Sequence, residues 1–193
     1  MKRRRAPREI DTPRMHGEAL GPEHEIAITA LETDPRVYPT LLGTSRPPRA
    51  AEIRARLTDM RRHWDRHGFG LWLWRERATG ELAGRGGLQY TDVIGGLAVE
   101  AAWAIMPERW GQGFASELAG AAVSVAFDTL GLDEVIALTL EYNIASRRVM
   151  EKAGFAYVRE IGHAGLPHVL YTRVAGRAPG PLLGSASPRR RPL

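Results

Sequence analysis

The chain of 193 residues contains no cysteine. That excludes a disulfide framework, a thiolate metal site and a thiol nucleophile, and it reads as a cytoplasmic protein. No apolar run reaches the roughly 20 residues that a membrane span needs. The basic start at Lys2 to Arg5 leads into Ala6-Pro7-Arg8 and not into an apolar segment, so neither an anchor nor a secretory leader is expected. His63, His67, His163 and His168 share no metal-binding spacing of the H-E-x-x-H kind, and no metal is assigned. Residues 11–176 hold no internal repeat and no low-complexity tract.

What is present is the composition of a globular domain, 44% hydrophobic and 25% charged. The formal net charge of +5 is unevenly placed. Residues 1–10 and 177–193 together carry nine basic residues and one acid, whereas residues 11–176 carry 18 basic and 21 acidic residues. The expectation is one domain over 11–176, between a basic disordered tail over 1–10 and a Pro/Gly/Arg-rich disordered tail over 177–193. The tails could give a weak ribosome or nucleic-acid contact by counterion release, and the domain itself lacks the charge for one.

Periodicity predicts a mixed α/β order. Residues 15–20 read as a strand, and a helix from about residue 22 to Pro35 would turn Ile26, Ala27, Ala30 and Leu31 inward. Residues 48–67 read as an amphipathic helix on Ile53, Leu57, Met60 and Trp64, Arg-rich on its other face and closed by Gly68. A hairpin over 69–76 and 81–90 and a strand over 97–105 follow. A glycine turn then leads into a helix over 114–130, a strand over 135–140, a helix over 143–153 and closing strands over 155–160 and 169–174.

Gly111 and Gly113 at that strand-to-helix turn let backbone approach an anion, and the unpaired amides and dipole of the first helical turn favour one. Two readings are open on this feature alone: phosphate binding, or glycines that only serve a tight turn. A P-loop is excluded because no Lys-Ser or Lys-Thr follows, and a dinucleotide G-x-G-x-x-G would need glycine where Ser116 stands.

The run Pro107-Glu108-Arg109-Trp110-Gly111-Gln112-Gly113-Phe114-Ala115-Ser116-Glu117 resembles the P-x-x-W-G-x-G-[YF]-A-[ST]-E motif of the GNAT acetyltransferase superfamily, in its RimJ/RimL-like branch. The segment from Asn143 through Ser146, Val149 and Lys152 to Gly154-Phe155 is similar to that branch's N-x-x-S-x-x-V-x-x-K-x-G-F. His67 to Trp72 with Ala78 to Leu82 looks like its central hairpin. The resemblance covers roughly residues 11–175. It implies an α/β GNAT fold, a single mixed, mostly antiparallel sheet with splayed central parallel strands and flanking helices. It also implies acetyl-CoA as cosubstrate and a primary amine as acceptor, a protein N-terminus in that branch, with a small antibiotic or metabolite amine as the alternative. A CoA-binding module without catalysis, and either a monomer or a homodimer, are compatible with it. Two departures are Glu108, where the superfamily commonly has Gln or Arg and whose side chain is expected in solvent, and Met150, where a Tyr is frequent.

In the same terms, the turn from Trp110 through Gly111, Gln112, Gly113, Phe114 and Ala115 to Ser116 would take the pyrophosphate, and Ile105 and Met106 at the strand end would meet pantetheine. Transfer needs a neutral amine, a polarised carbonyl and a protonated or stabilised leaving thiolate. Glu100, among apolar neighbours that would raise its pKa, is the candidate base; it could equally bind the cationic amine or lie on an outer face. Backbone amides near Trp103 to Ile105 are the candidate oxyanion donors. Ser146 is the candidate thiolate acid with Tyr171 as rival, and Asn143 would contact pantetheine, though Asn143 and Ser146 also suit a helix cap. Trp72, Trp74 and Trp103 are candidates for the acceptor cleft, with core packing as their alternative.

Overall fold

The structure, a computed structural model, describes residues 4–93 and 96–176. A short pair of strands, β1 (Glu9–Asp11) and β2 (Met15–Ala19), precedes three helices, α1 (Glu25–Glu32), α2 (Tyr38–Leu41) and α3 (Ala50–His67). A meander follows, of β3 (Leu71–Glu76), β4 (Leu82–Val93) and β5 (Gly96–Ile105). Then come α4 (Phe114–Ser124), β6 (Glu134–Leu140), α5 (Ile144–Lys152), β7 (Ala156–His163) and β8 (Leu166–Val174). The strands form one sheet in the order β1-β2-β3-β4-β5-β6-β8-β7, antiparallel throughout except between β5 and β6. This is the mixed sheet with one central parallel pair that the resemblance implies.

Both sheet faces are covered, which explains why β3 is apolar at every position from Leu71 to Trp74. Strand alternation sends Leu71 and Leu73 into one cluster with Ile28 of α1 and Ile53 and Leu57 of α3. It sends Trp72 and Trp74 to the other face, where Phe114, Leu118 and Ala122 of α4 pack. The amphipathic reading of α3 holds: Ile53, Leu57 and Trp64 are buried, and Gly68, left-handed at φ 77°, ends the helix. Its Arg-rich face pairs with α1 and the turn before it. Arg54 bonds Glu25 at 2.9 Å, and Arg56 and Arg61 bond Glu32 and Glu23.

Three expectations change. Pro22–His24 forms a 3-10 turn, so α1 starts at Glu25 in a phase that buries Ile28 and Leu31 and leaves Ile26 88% exposed. The helix over 114–130 is α-helical only to Ser124; over Val125–Thr129 it widens to a π-turn, with the Leu130 amide on Val125 O at 2.9 Å. Residues 4–10 are no free tail. Ala6 is buried and donates to Gly68 O at 2.8 Å, Arg8 pairs with Asp65 at 2.7 Å, and Glu9 and Ile10 pair with β2. Their arginine charge is thus partly committed to the fold. The tail expected over 177–193 lies outside the described residues. Glu108 is in solvent as expected, its side chain 53% exposed, and there it pairs at 2.7 Å with Arg36 from the loop before α2.

Candidate active site

The site follows from a failure of strand pairing. β5 stays in register with β4 from Gly96 to Ile105, and β6 stays in register with β8 from Glu134 to Leu140, yet β5 and β6 share the single pair Glu100 and Ile136. Beyond that pair the two strands part. Along an antiparallel ladder the amide and carbonyl of alternate residues face opposite edges. The Met106 amide bonds Ala83 O on β4 at 2.9 Å, so the amides of Trp103 and Ile105 face the gap and that of Ala104 does not. This narrows the oxyanion donors expected over 103–105 to Trp103 and Ile105. A cleft of about 750 Å3 runs through the gap from one sheet face to the other.

On the α4 face the cleft is lined by Trp103, Trp110, Gly111, Gly113, Asn143 and Ser146, among others. Gly111 and Gly113 are left-handed at φ 74° and 83°, conformations that glycine adopts without penalty, and Gly113 caps the N-terminus of α4. No protein atom lies within 4 Å of where a Gly111 Cβ would stand. The turn is held from behind by Arg14 of the β1–β2 hairpin. Its guanidinium bonds Gln112 O at 2.8 Å and Glu117 Oε2 at 2.6 Å, and stacks on the Phe114 ring at 4.3 Å. Trp110 is fixed by its indole N–H on Ile105 O at 2.8 Å. The amides of the first α4 turn, unpaired by helix geometry, complete an anion cradle.

Two of the expected cofactor positions are not on the cleft wall. Met106 packs with Leu31, Val37 and Ala104, and the Gln112 side chain bonds Glu108 O at 2.7 Å. Ile105, Phe114, Ala115 and Ser116 do line it. Asn143 caps α5, its Oδ1 accepting from the Ser146 amide at 3.1 Å. Cap and cleft position therefore coexist. Tyr171 is 1% exposed and its hydroxyl is engaged by Arg147 at 3.2 Å and Glu151 at 3.3 Å, away from the cleft.

On the opposite face lie Glu100, Gln89, Arg85 and Thr91, with Val37, Thr40, Leu41 and Leu42 around α2 and with His163 and His168 of the β7–β8 hairpin. Glu100 is buried, and desolvation raises its carboxyl pKa; a Gln89 bond at 3.0 Å, the Arg85 charge and Thr91 pull in the other direction. His163 is shifted down by burial and by neighbouring His168, with Asp92 opposing. Gly43, just after α2, sits against Leu166 with no room for a Cβ, and Tyr142 donates to Pro39 O at 3.1 Å, so α2 roofs this half of the cleft.

Of the three candidate tryptophans only Trp103 lines the cleft. Trp72 and Trp74 are fully buried two strands away, their indole N–H groups on Pro7 O at 3.1 Å and Gly86 O at 3.0 Å. They belong to the core because strand alternation turns them under α4. Arg85, Gln89 and Thr91 escape a reading of the sequence. Their signal is a polar residue at positions two or four apart on an otherwise apolar strand, a stripe with nothing to place it at a site until β5 is beside it.

A protein-family model described as "Acetyltransferase (GNAT) domain" matches residues 18–156. The chain is 33% identical over 156 residues to the FsC-acetyl coenzyme A-N(2)-transacetylase of Aspergillus fumigatus, covering 77% of this chain and 65% of that one. It is 30% identical over 107 residues to Bacillus subtilis YkkB, covering 55% of this chain and 62% of the relative. It thus spans less than two thirds of either relative's length. Among solved structures it superposes on RimL, a ribosomal L7/L12 α-N-protein acetyltransferase in complex with coenzyme A, with a TM-score of 0.70 at 16% identity, covering 86% of this chain and 97% of that one. At that identity the likeness bears on the fold alone.

Proposed function

The chain belongs to the GNAT acetyltransferase domain family, and from that membership we propose that it transfers an acetyl group from acetyl-CoA to a primary amine by direct attack, without a covalent enzyme intermediate. The observation that carries this is the one-pair splay of β5 and β6. It opens a cleft between an anion cradle on one sheet face and a buried carboxylate on the other. The residues fit the cofactor: glycines at 111 and 113 leave the cradle free of Cβ atoms, and the Asn143 side-chain N–H, left over from its helix cap, suits an extended arm with its own amide groups.

Acetyl-CoA supplies the activated thioester; overall an N–C bond forms, a C–S bond breaks, and the amine loses a proton. Glu100 takes that proton, and the desolvation that raises its pKa makes it a stronger base than an exposed carboxylate. The preorganised Trp103 and Ile105 amides polarise the carbonyl oxygen in the gap. Ser146, on the first turn of α5 with its hydroxyl unbonded among the described residues, holds a proton for the leaving sulfur. Asn143 offers its side-chain N–H to the cofactor arm while its oxygen caps the helix.

For the acceptor we favour a small amine over the protein N-terminus that the RimJ/RimL resemblance implies. The roof formed by α2 against Leu166 and Tyr142 encloses the Glu100 chamber. The relative at 33% identity is named for FsC and an N(2) position, not for a ribosomal protein. Thiol release measured with acetyl-CoA and a panel of small amines and N-terminal peptides tests this. Turnover of small amines is expected; turnover of peptides alone would reverse the acceptor assignment, and cofactor binding with no turnover on any amine would leave a CoA-binding module.

A further inference from the structure

Arg85 is a buried charge that the transfer step leaves unused. Its side chain is 7% exposed, and it lines the acceptor half of the cleft on the same sheet face as Glu100. Its Nε donates to Glu32 Oε1 at 2.8 Å, and Arg56 takes Glu32 Oε2. Glu32, fully buried, thus has both oxygens engaged. No hydrogen bond from the described residues engages Nη1 or Nη2 of Arg85, and neither is among the sealed nitrogens that lack a partner, so both open onto the cleft.

The charges decide what fits there. Arg56, Glu32 and Arg85 leave one positive charge, and it faces the chamber. A guanidinium in a poorly hydrated site is costly unless an anion neutralises it. Glu100 provides that counter-charge only until it takes the proton from the amine. An acceptor that brings its own anion keeps Arg85 compensated through the transfer. The open edge of a guanidinium presents two parallel N–H groups, which match a planar carboxylate.

We propose that Arg85 selects an acceptor carrying a carboxylate in addition to its primary amine, an amino acid or a derivative of one. This rests on the acetyltransferase reading given above. A cationic diamine would place a positive charge against Arg85 and is disfavoured.

The test compares matched probes: amino acids with their carboxamides, and ornithine with its decarboxylated diamine, putrescine. In wild-type protein the carboxylate member should have a kcat/KM larger by about 10-fold or more, the discrimination available when a buried polar group is left unmatched. In Arg85→Met that ratio should fall to about one. A ratio near one in wild type, or an unchanged ratio in Arg85→Met, overturns the proposal. Should Arg85→Met lose its cooperative melting transition, Arg85→Lys keeps the charge beside Glu32 without the fork; its ratio should drop several-fold, and an unchanged ratio overturns the proposal. Absence of transfer to every amine sinks the acetyltransferase reading instead. Calorimetry on the CoA-loaded protein then reads the subsite alone: tighter binding of acids than amides supports it, and equal affinities overturn it.

Discussion

Gln89 donates from Nε2 to Oε2 of Glu100 at 3.0 Å, across the β4–β5 ladder from the directly opposed register position. The bond favours the ionised carboxyl against burial, which disfavours it. kcat/KM should therefore rise with pH along a limb set by Glu100, above the ordinary carboxylate range. Gln89→Leu should move that limb to higher pH, and Glu100→Gln should lower kcat/KM by about 10²–10⁴-fold. A limb that stays in place in Gln89→Leu assigns it to another group.

The same residue should weaken the fold it serves. Burial raises the Glu100 pKa, so the native state holds the proton more tightly than the unfolded chain. Its contribution is present at low pH and is lost as pH rises from about 4.3, the unfolded value, through the folded pKa. Glu100→Gln should melt at a higher temperature than wild type at pH 8, with the difference narrowing toward pH 5. Calorimetry at both pH values checks this.

Gly111 and Gly80 provide a matched pair. Both are left-handed, at φ 74° and 72°, and at neither does a protein atom lie within 4 Å of the place a Cβ would take. Alanine at either should cost about 1 kcal/mol of backbone strain. Only Gly111→Ala should also raise the KM for acetyl-CoA, by roughly 10-fold if the cradle loses about 1.4 kcal/mol of binding. Equal cofactor kinetics in the two variants would remove Gly111 from the site.

His63 ties α3 to the sheet where β3 no longer pairs with β4. Its Nδ1 donates to Phe69 O at 2.8 Å, and its Nε2 accepts the Tyr90 amide at 3.0 Å, which requires the neutral ring. Burial first, and then the charge of His67, lower its pKa, against the pull of the Phe69 carbonyl. The unfolded chain therefore takes the proton first, and this contribution to stability is lost as pH falls below about 6.5. His63→Phe should lose about 1–3 kcal/mol at pH 7.5 through the orphaned Tyr90 amide. The gap to wild type should narrow by up to about 1.4 kcal/mol by pH 5.5 in denaturant titrations.

Trp72 and Trp103 should separate stability from recognition. Trp72→Phe removes the bond to Pro7 O and some core volume, and should cost about 1–3 kcal/mol while the KM for acetyl-CoA holds. Trp103→Leu should raise the KM for acetyl-CoA with a smaller loss of stability, because the side chain lies on the cleft wall of the face that carries the glycine turn. Steady-state kinetics alongside thermal melts would show whether the two effects part in this way.

The sequence by itself determined the order of the elements other than β1 and α2, the stripe that seats α3, and the glycine turn before α4, because periodicity and backbone conformation are local properties. It also singled out Glu100 as a candidate, since a lone acid within an apolar strand is legible without a partner, but its burial came from the structure. It could not determine where β5 and β6 part, because a break in pairing is a property of two strands far apart in the chain. Nor could it determine which tryptophan meets the cleft, as Trp72 and Trp103 sit in similar strand patterns and differ only in the strand beside them. The commitment of Arg8 to Asp65 and of Arg85 to Glu32 was likewise invisible. Charge partners are chosen by packing, and only the tertiary structure placed the Arg85 guanidinium on the cleft wall.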